Sequence, residues 1–375
     1  MKAFTTSFSK ERGWSSPLPS VDPARALIVC FGAPEYVDDT EAIRQLTVEV
    51  GGTVVGCSTA GEIHGSEVSD GTLSVAVIEF ESTMIKSRAM PIGVDRSFEA
   101  GVGLGAGLAD DDLRAVFVLS DGLDVNGSDL VRGLTESLPP SVVTTGGLAA
   151  DGPRFERTWV IVDGKPASGF ATAVGLYGGA VRVGHGSVGG WDFFGPERTV
   201  SRSSRNVVYE LDGRPVLALY KEYLGDLATE LPASGLLFPL ALRGSGDDGP
   251  LVRTILGVDE EAQSLIFAGD VPQGQRAQLM QANFDRLVEG AEDAAVSALL
   301  PAVTGPALSI AISCVGRRLV LGERTEDELE ATTHAATPGT GQVGFYSYGE
   351  ISPLAGGVCA LHNQTMTITT IGEVT

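Results

Sequence analysis

The stretch Gly56-Cys57-Ser58-Thr59-Ala60-Gly61-Glu62-Ile63, "GCSTAGEI", ends an apolar run and places a thiol, two hydroxyls and a carboxylate between glycines. It recurs as "VGFYSYGEI" at 343–351, where Gly344, Gly349, Glu350 and Ile351 overlie Gly56, Gly61, Glu62 and Ile63. A looser copy, "SVVTTGGLAAD" at 141–151, carries Gly146, Gly147 and Asp151 at the equivalent end. A rigid strand that runs out into such a turn aims its polar groups at whatever lies beyond the sheet.

Working outward, each copy has the same neighbours. "ALIVCFG" (26–32), "AVFVLSD" (115–121) and "PALSIAISCVG" (306–316) read as buried strands. Helical spacing follows each of them. It covers 39–50 with Ile43, Leu46 and Val50 on one face, 127–138 with Leu130, Leu134 and Leu138, and 325–336. Asp39 or Thr40 and Ser128 stand where N-caps belong, and Thr325 with Glu328 spells a capping box. Strand and turn of the second copy both lie 89 residues beyond the first, which marks a duplication, and the third copy closes the chain.

Segments 71–90, 157–179 and 355–372 read as hairpins, the last two with Asp-Gly and Asn-Gln at the bend. Further helical patterns cover 97–109 and 276–299. The expected fold is mixed α/β: repeated β-α-β units with hairpins, in mixed sheets flanked by helices. The polar stretch "FFGPERTVSRSSRN" divides two domains, giving an extension at 1–23, a domain at 24–205 with two units, and one at 206–375 with the third. A second polar loop covers 243–250.

Composition narrows the partners. At 375 residues with 43% hydrophobic and 20% charged content the chain is long enough for more than one core. A net charge of −22 and 6% aromatic content disfavour nucleic acid and anionic membranes. No apolar run reaches a membrane span, and "MKAFTTSFSKERGW" lacks a signal's apolar core, so a cytoplasmic location is expected. The four cysteines follow no ligand spacing and read as reduced core residues.

Taken in order, "GCSTAGEI", "TTGGLAADG", "ELDGRPVLALYKEYLG", "IFAGDVPQGQRAQLM" and "GFYSYGEISP" with "LHNQTMTIT" resemble the FIST proteins, with an N-terminal and a C-terminal FIST domain, over about residues 24–372. The resemblance implies a bacterial sensory protein that binds a small ligand, an amino acid among them. Without an output domain of its own, such a chain would signal through a histidine kinase or a cyclic-di-nucleotide enzyme. Some stand-alone relatives are haem-binding nitric oxide sensors, which makes haem the alternative cofactor.

The candidate ligand site is therefore the set of strand-end turns: Gly56, Cys57, Ser58, Thr59, Gly61 and Glu62; Gly146, Gly147 and Asp151; Tyr346, Ser347, Tyr348, Gly349 and Glu350; and Asn363. Glycine-exposed amides would hold a carboxylate and Glu62 or Glu350 an ammonium. The same glutamates would equally serve to hold their own turns closed. A haem ligand, if there is one, is His185, among glycines near Phe193 and Phe194, or His362, near Met366. No histidine pair has zinc spacing, and no metal is expected. A hydrolase using Cys57, or Glu62 with Glu350, is the remaining alternative. It lacks a nearby base for the thiol and any known catalytic motif, so no catalytic residue is assigned.

Overall fold

The computed structural model describes residues 1–243 and 249–374; residues 244–248 of the polar loop lie outside the described residues. Three units repeat one plan. The first runs β1 (Lys2–Ser9), a short β2 (Gly13–Trp14), β3 (Ala26–Gly32), α1 (Glu41–Gln45) continued by one wider turn, β4 (Thr53–Ser58), β5 (Glu62–His64), β6 (Glu67–Ser69) and β7 (Thr72–Glu79). The second runs β8 (Met84–Pro91), α2 (Ser97–Leu108), β9 (Leu113–Ser120), α3 (Gly127–Ser137), β10 (Val143–Leu148), β11 (Val160–Val162), β12 (Lys165–Ala167) and β13 (Phe170–Tyr177).

The third unit opens with β14 (Val181–Val188) and is then interrupted. An inserted module holds β15 (Asp192–Ser204), β16 (Val207–Leu211), β17 (Arg214–Pro215), α4 (Val216–Leu224), β18 (Leu240–Leu242), β19 (Leu251–Arg253), β20 (Ile255–Asp259), β21 (Ser264–Phe267) and β22 (Arg276–Gln281). The unit resumes with α5 (Phe284–Ser297), β23 (Leu308–Cys314), α6 (Val315–Leu321), α7 (Thr325–Ala335), β24 (Gly341–Ser347), β25 (Gly349–Pro353), β26 (Cys359–His362) and β27 (Met366–Glu373).

Each unit's central strand pairs in parallel with the strand after its helix and antiparallel with its last long strand: β3 with β4 and β7, β9 with β10 and β13, β23 with β24 and β27. Strand alternation then sorts side chains to two faces. Leu27, Val29 and Phe31 share one apolar core with Ala115, Phe117, Leu119, Leu308, Ile310 and Ile312. The Phe31 and Phe345 rings meet there at 4.6 Å. The intervening Ile28 and Cys30 pack outward with Ile43 and Leu46 of the first unit's helix. On the second unit Val116 and Val118 meet Leu104, Leu130 and Leu134, and on the third Ala311 meets Ala291, Ala294 and Leu329. Three sheets thus face one centre and carry their helices outside, each fully buried Leu or Ile contributing about 1.5–3 kcal/mol.

The units are interlocked by exchange. The β5–β6 hairpin pairs with β24 of the third unit, β25–β26 with β10 of the second, and β11–β12 with β4 of the first. The hairpin after each turn therefore completes a neighbour's sheet, and the cycle closes. Gly56, Gly146 and Gly344 occupy equivalent places, and a Cβ on any of them would collide with the facing carbonyl of Cys30, Val118 or Ala311.

The inserted module has its own sheet, in the order β19-β18-β22-β15-β16-β21-β20, and its own core around Val208, Leu217, Tyr220, Phe267 and Leu279. A buried ion pair of the third unit lies where the module's two connections meet that unit. Arg317 of α6 meets Glu328 of α7 at 2.7 Å with both side chains fully enclosed. Its remaining donors go to the carbonyls of Gly189, just before the module, and Leu287, just after it, the latter at 2.8 Å.

Several expectations change. The 276–299 segment is a strand followed by a helix: in "RAQLMQ" Ala277 and Leu279 alternate into the module's core, and Asn283 caps α5. The strands of 71–90 and 355–372 form, but β7 and β8, and β26 and β27, diverge into different sheets. Asn126, not Ser128, caps α3. The Thr325–Glu328 capping box does not form, because Thr325 bonds back to Gly322 while Glu328 is taken by Arg317, Ser313 and Tyr346. The 89-residue offset would put Gly146 on Cys57, but the glycine collisions register Gly146 on Gly56 and so Gly147 on Cys57. The sequence division at 205/206 falls at the bend between β15 and β16, inside the module.

Candidate functional site

The three repeated turns do come together, through their backbones. Ala150 donates to the Ser58 carbonyl at 3.0 Å, Tyr348 to Leu148 at 3.3 Å, and Ala60 to Tyr346 at 2.8 Å. These are equivalent donors and acceptors, so one hydrogen bond per unit closes a ring. The amides the glycines were expected to offer a ligand are partly spent on this closure.

The side chains close the turns further. Glu62 accepts the Thr59 hydroxyl, and both the amide and the hydroxyl of Thr72 at 2.9 Å. Glu350 repeats the pattern, with Ser347 at 2.6 Å and the Thr365 hydroxyl at 2.9 Å. Burial pushes the Glu62 carboxyl up to about 7 and that of Glu350 to about 8, against the pull of those hydrogen bonds. Ser58 accepts from the Trp159 amide at 3.1 Å. Gly61 donates to Thr59, and Gly349 and Gly147 sit in the β10–β25 pairing, Gly147 opposite Glu350. Tyr346 donates to Glu328 at 2.8 Å, and Asn363 is fully buried with neither side-chain atom bonded among the described residues.

Cys57 is fully buried and burial raises its thiol well above the usual value, the opposite of what a nucleophile needs. His362 does not fit a haem, and His185 lacks the glycine-lined face expected for one. His362 is 6% exposed, uses Nε2 on the Ser352 carbonyl at 3.0 Å, and is driven by burial down to about 4. Beside His185, Gly184 and Gly186 lie directly against the carbonyls of Ala298 and Ala294. The face that those glycines were expected to leave for a flat macrocycle is filled by the end of α5, while His185 projects from the other face of β14.

A cleft of about 620 Å³ opens elsewhere, between the ring of units and the inserted module. Its ring side is formed by the loop after β9, the start of α3, the turn at Leu148 and Gly152, and the start of α6; its module side by Pro232, Leu236, Thr254, Leu256 and Asp270. Of the residues singled out in the sequence, only Tyr348 lines it. Asp151 works just behind: it accepts the Tyr348 hydroxyl and the amides of Phe155, Glu156 and Arg157 at 3.0, 2.8 and 2.8 Å. Burial would raise its carboxyl, but these donors outweigh it and hold it below the usual range.

The polar groups of the cleft are ones the sequence did not flag. Asn126 reaches Asp270 Oδ1 at 3.3 Å, which ties the N-terminus of α3 to the module. Thr254 is 4% exposed and its hydroxyl has no partner among the described residues. Arg205 stands at the wall and pairs with the exposed Asp95 at 3.3 Å. Asn126 had a local signal, an Asn before a helical pattern; Asp270 lies in the family-like stretch "IFAGDVPQGQRAQLM", where nothing marked it as a ligand group, and Thr254 had no signal. The remaining wall is apolar. Clefts of this size with a few convergent polar groups are the usual form of small-molecule sites.

Comparisons with known proteins bear out the family resemblance. Residues 26–214 match the FIST N domain and 217–353 the FIST C domain, with the boundary between them inside the inserted module. An uncharacterized protein of Methanocaldococcus jannaschii is 25% identical over 276 residues, 64% of this chain and 50% of its own length. The chain thus spans about half the length of that curated relative. A crystal structure of cyanuric acid hydrolase from A. caulinodans aligns over 100% of this chain and 99% of its own at 9% identity, but its TM-score of 0.35 carries no argument. Among the described residues no helix is long and apolar enough to cross a membrane. With both domains matched along most of its length, the chain belongs to the FIST family, sensory domains of signal transduction.

Proposed function

We propose that the cleft between the ring and the inserted module is the sensing site, and that it takes a small molecule with an apolar body and an amino group, amino acids included. The observation that carries this reading is the buried Thr254 hydroxyl, unpartnered among the described residues, on a cleft of about 620 Å³ that Asp270 also lines. A buried hydroxyl without a partner costs about 1–3 kcal/mol, and a ligand that bonds it once its side chain turns into the cleft recovers that cost. Asp270 supplies an acceptor for the amine and Arg205 a cation for an acidic group. The net charge of −22 favours approach of a cationic ligand.

Signalling follows from the position of the cleft. A ligand that touches both walls binds the closed arrangement better than the open one and shifts the balance toward it. A separate partner, a histidine kinase or a cyclic-di-nucleotide enzyme, would read the position of the module. A thermal-shift screen of amino acids and small amines tests the reading, with Leu236→Trp as a variant whose indole fills the cleft. A ligand at 100 times its dissociation constant adds about 2.7 kcal/mol to the wild type and nothing to the variant. Equal shifts in both proteins would place binding elsewhere and defeat the proposal.

A further inference from the structure

We infer that the cleft selects a flat aromatic or heteroaromatic amine, held by stacking on Phe155. This rests on the reading of the cleft as the sensing site and adds the class of ligand.

Phe155 is unusual in three ways. Its backbone φ is +52°, a left-handed conformation that a bulky residue rarely adopts. Its ring lies against Tyr348 with centroids 4.5 Å apart and planes 6° from parallel. About half of it, 51%, is nonetheless exposed, and it lines the cleft. Tyr348 covers one side of the ring and leaves a flat aromatic surface at the wall.

The surrounding residues hold that surface rigid. Asp151 gathers the Phe155 amide and the Tyr348 hydroxyl onto one carboxylate, so a single group sets both rings. The Tyr348 hydroxyl also reaches the Gly152 carbonyl at 2.7 Å. On either side of Phe155, Arg154 pairs with Glu35 at 2.5 Å and Arg157 with Asp38 at 2.6 Å, which ties the loop to the first unit. An exposed phenylalanine with no partner to pack against would adopt an ordinary backbone; this one is fixed by bonds on three sides.

The polar end of the ligand follows from the module wall. The unpartnered Thr254 hydroxyl both donates and accepts, and Asp270 accepts from an N–H. A ring with an exocyclic amino group uses both while its face rests on Phe155. A saturated amine of the same size reaches the same polar groups without the stacking contribution. Preference for the flat ligand is therefore the measurable consequence.

The test uses two bicyclic amines with an exocyclic amino group, 2-aminoquinoline and 2-aminodecalin, titrated calorimetrically at about pH 6, where both are protonated, into the full chain, into Phe155→Leu and into Leu236→Trp. The expected result is tighter binding of 2-aminoquinoline to the wild type. In Phe155→Leu its affinity falls about tenfold, while that of 2-aminodecalin is unchanged. Tyr348→Phe keeps the stacked pair and the preference, which separates stacking from the hydroxyl network. Equal affinities of the two amines in the wild type, with both lost in Leu236→Trp, would overturn the aromatic selection and leave the cleft standing. Binding that survives Leu236→Trp, or no binding of either amine, would overturn both.

Discussion

Glu62 and Glu350 sit in matching surroundings, each closed by a hydroxyl from its own turn and by the threonine that starts the returning strand. The ordinary value of 4.5 rises to about 7 and about 8. Between these limits the folded chain keeps protons that the unfolded chain has released. Their contribution to stability is full below pH 4.5 and fades as the pH rises through 7 and 8. The wild type is therefore expected to lose urea resistance from about pH 5 to about pH 9. Glu62→Gln with Glu350→Gln is expected to flatten that slope by on the order of 3 kcal/mol or more. An unchanged slope would mean that neither carboxyl titrates in this range. At this scale the sequence located the repeated residues but not what they do, since the glutamate of a turn looks alike whether it faces a ligand or its own backbone. Asp270 and Thr254 become recognisable only once the module has folded over α3.

Period and spacing reveal most elements, because buried faces impose them on the residues: Leu130 and Leu134 on α3 pack with Leu104 of α2 as the helical spacing demands. Where two periods compete, a short alternating run before a helix is easily read into the helix, as "RAQLMQ" is, although it forms β22. Glu328 misleads for a related reason: the capping box is local, whereas its true partners arrive from β23, β24 and α6. The Arg317–Glu328 pair also holds the module's two connections to the body, through the Arg317 bonds to Gly189 and Leu287. Arg317→Met leaves Glu328 buried and uncompensated, and is expected to cost about 3–5 kcal/mol in chemical denaturation. Removing both charges in Arg317→Met with Glu328→Leu is expected to cost less than the single change. A double variant weaker than the single one would show that the bonds of Glu328 to Ser313 and Tyr346 outweigh the cost of leaving its charge unpaired.

Across the whole molecule, triplication is legible because the motif is written three times, but the cyclic exchange of hairpins is not. Val160 pairs with Cys57 and Val343 with His64, contacts that leave no local period in the chain. The insertion is hidden because both its connections are short: Gly189 and Gly190 lead in, and Asn283 leads directly into α5. The parallel pairing at the heart of each unit requires close backbone approach at Gly56, Gly146 and Gly344, so Gly146→Ala and Gly344→Ala are each expected to cost about 1–3 kcal/mol, read as a lower melting temperature. A variant as stable as the wild type would show that the strands can part there without loss.

The central claim is that the ligand occupies the cleft and not the ring of turns, and hydrogen exchange read by mass spectrometry decides between them. With 2-aminoquinoline bound, slower exchange is predicted in the segments around Gly122–Gly127, Thr254–Leu256 and Ala268–Asp270, which line the cleft. Slower exchange confined to 56–62 and 344–350, with the cleft segments unchanged, would contradict the account and return the site to the turns.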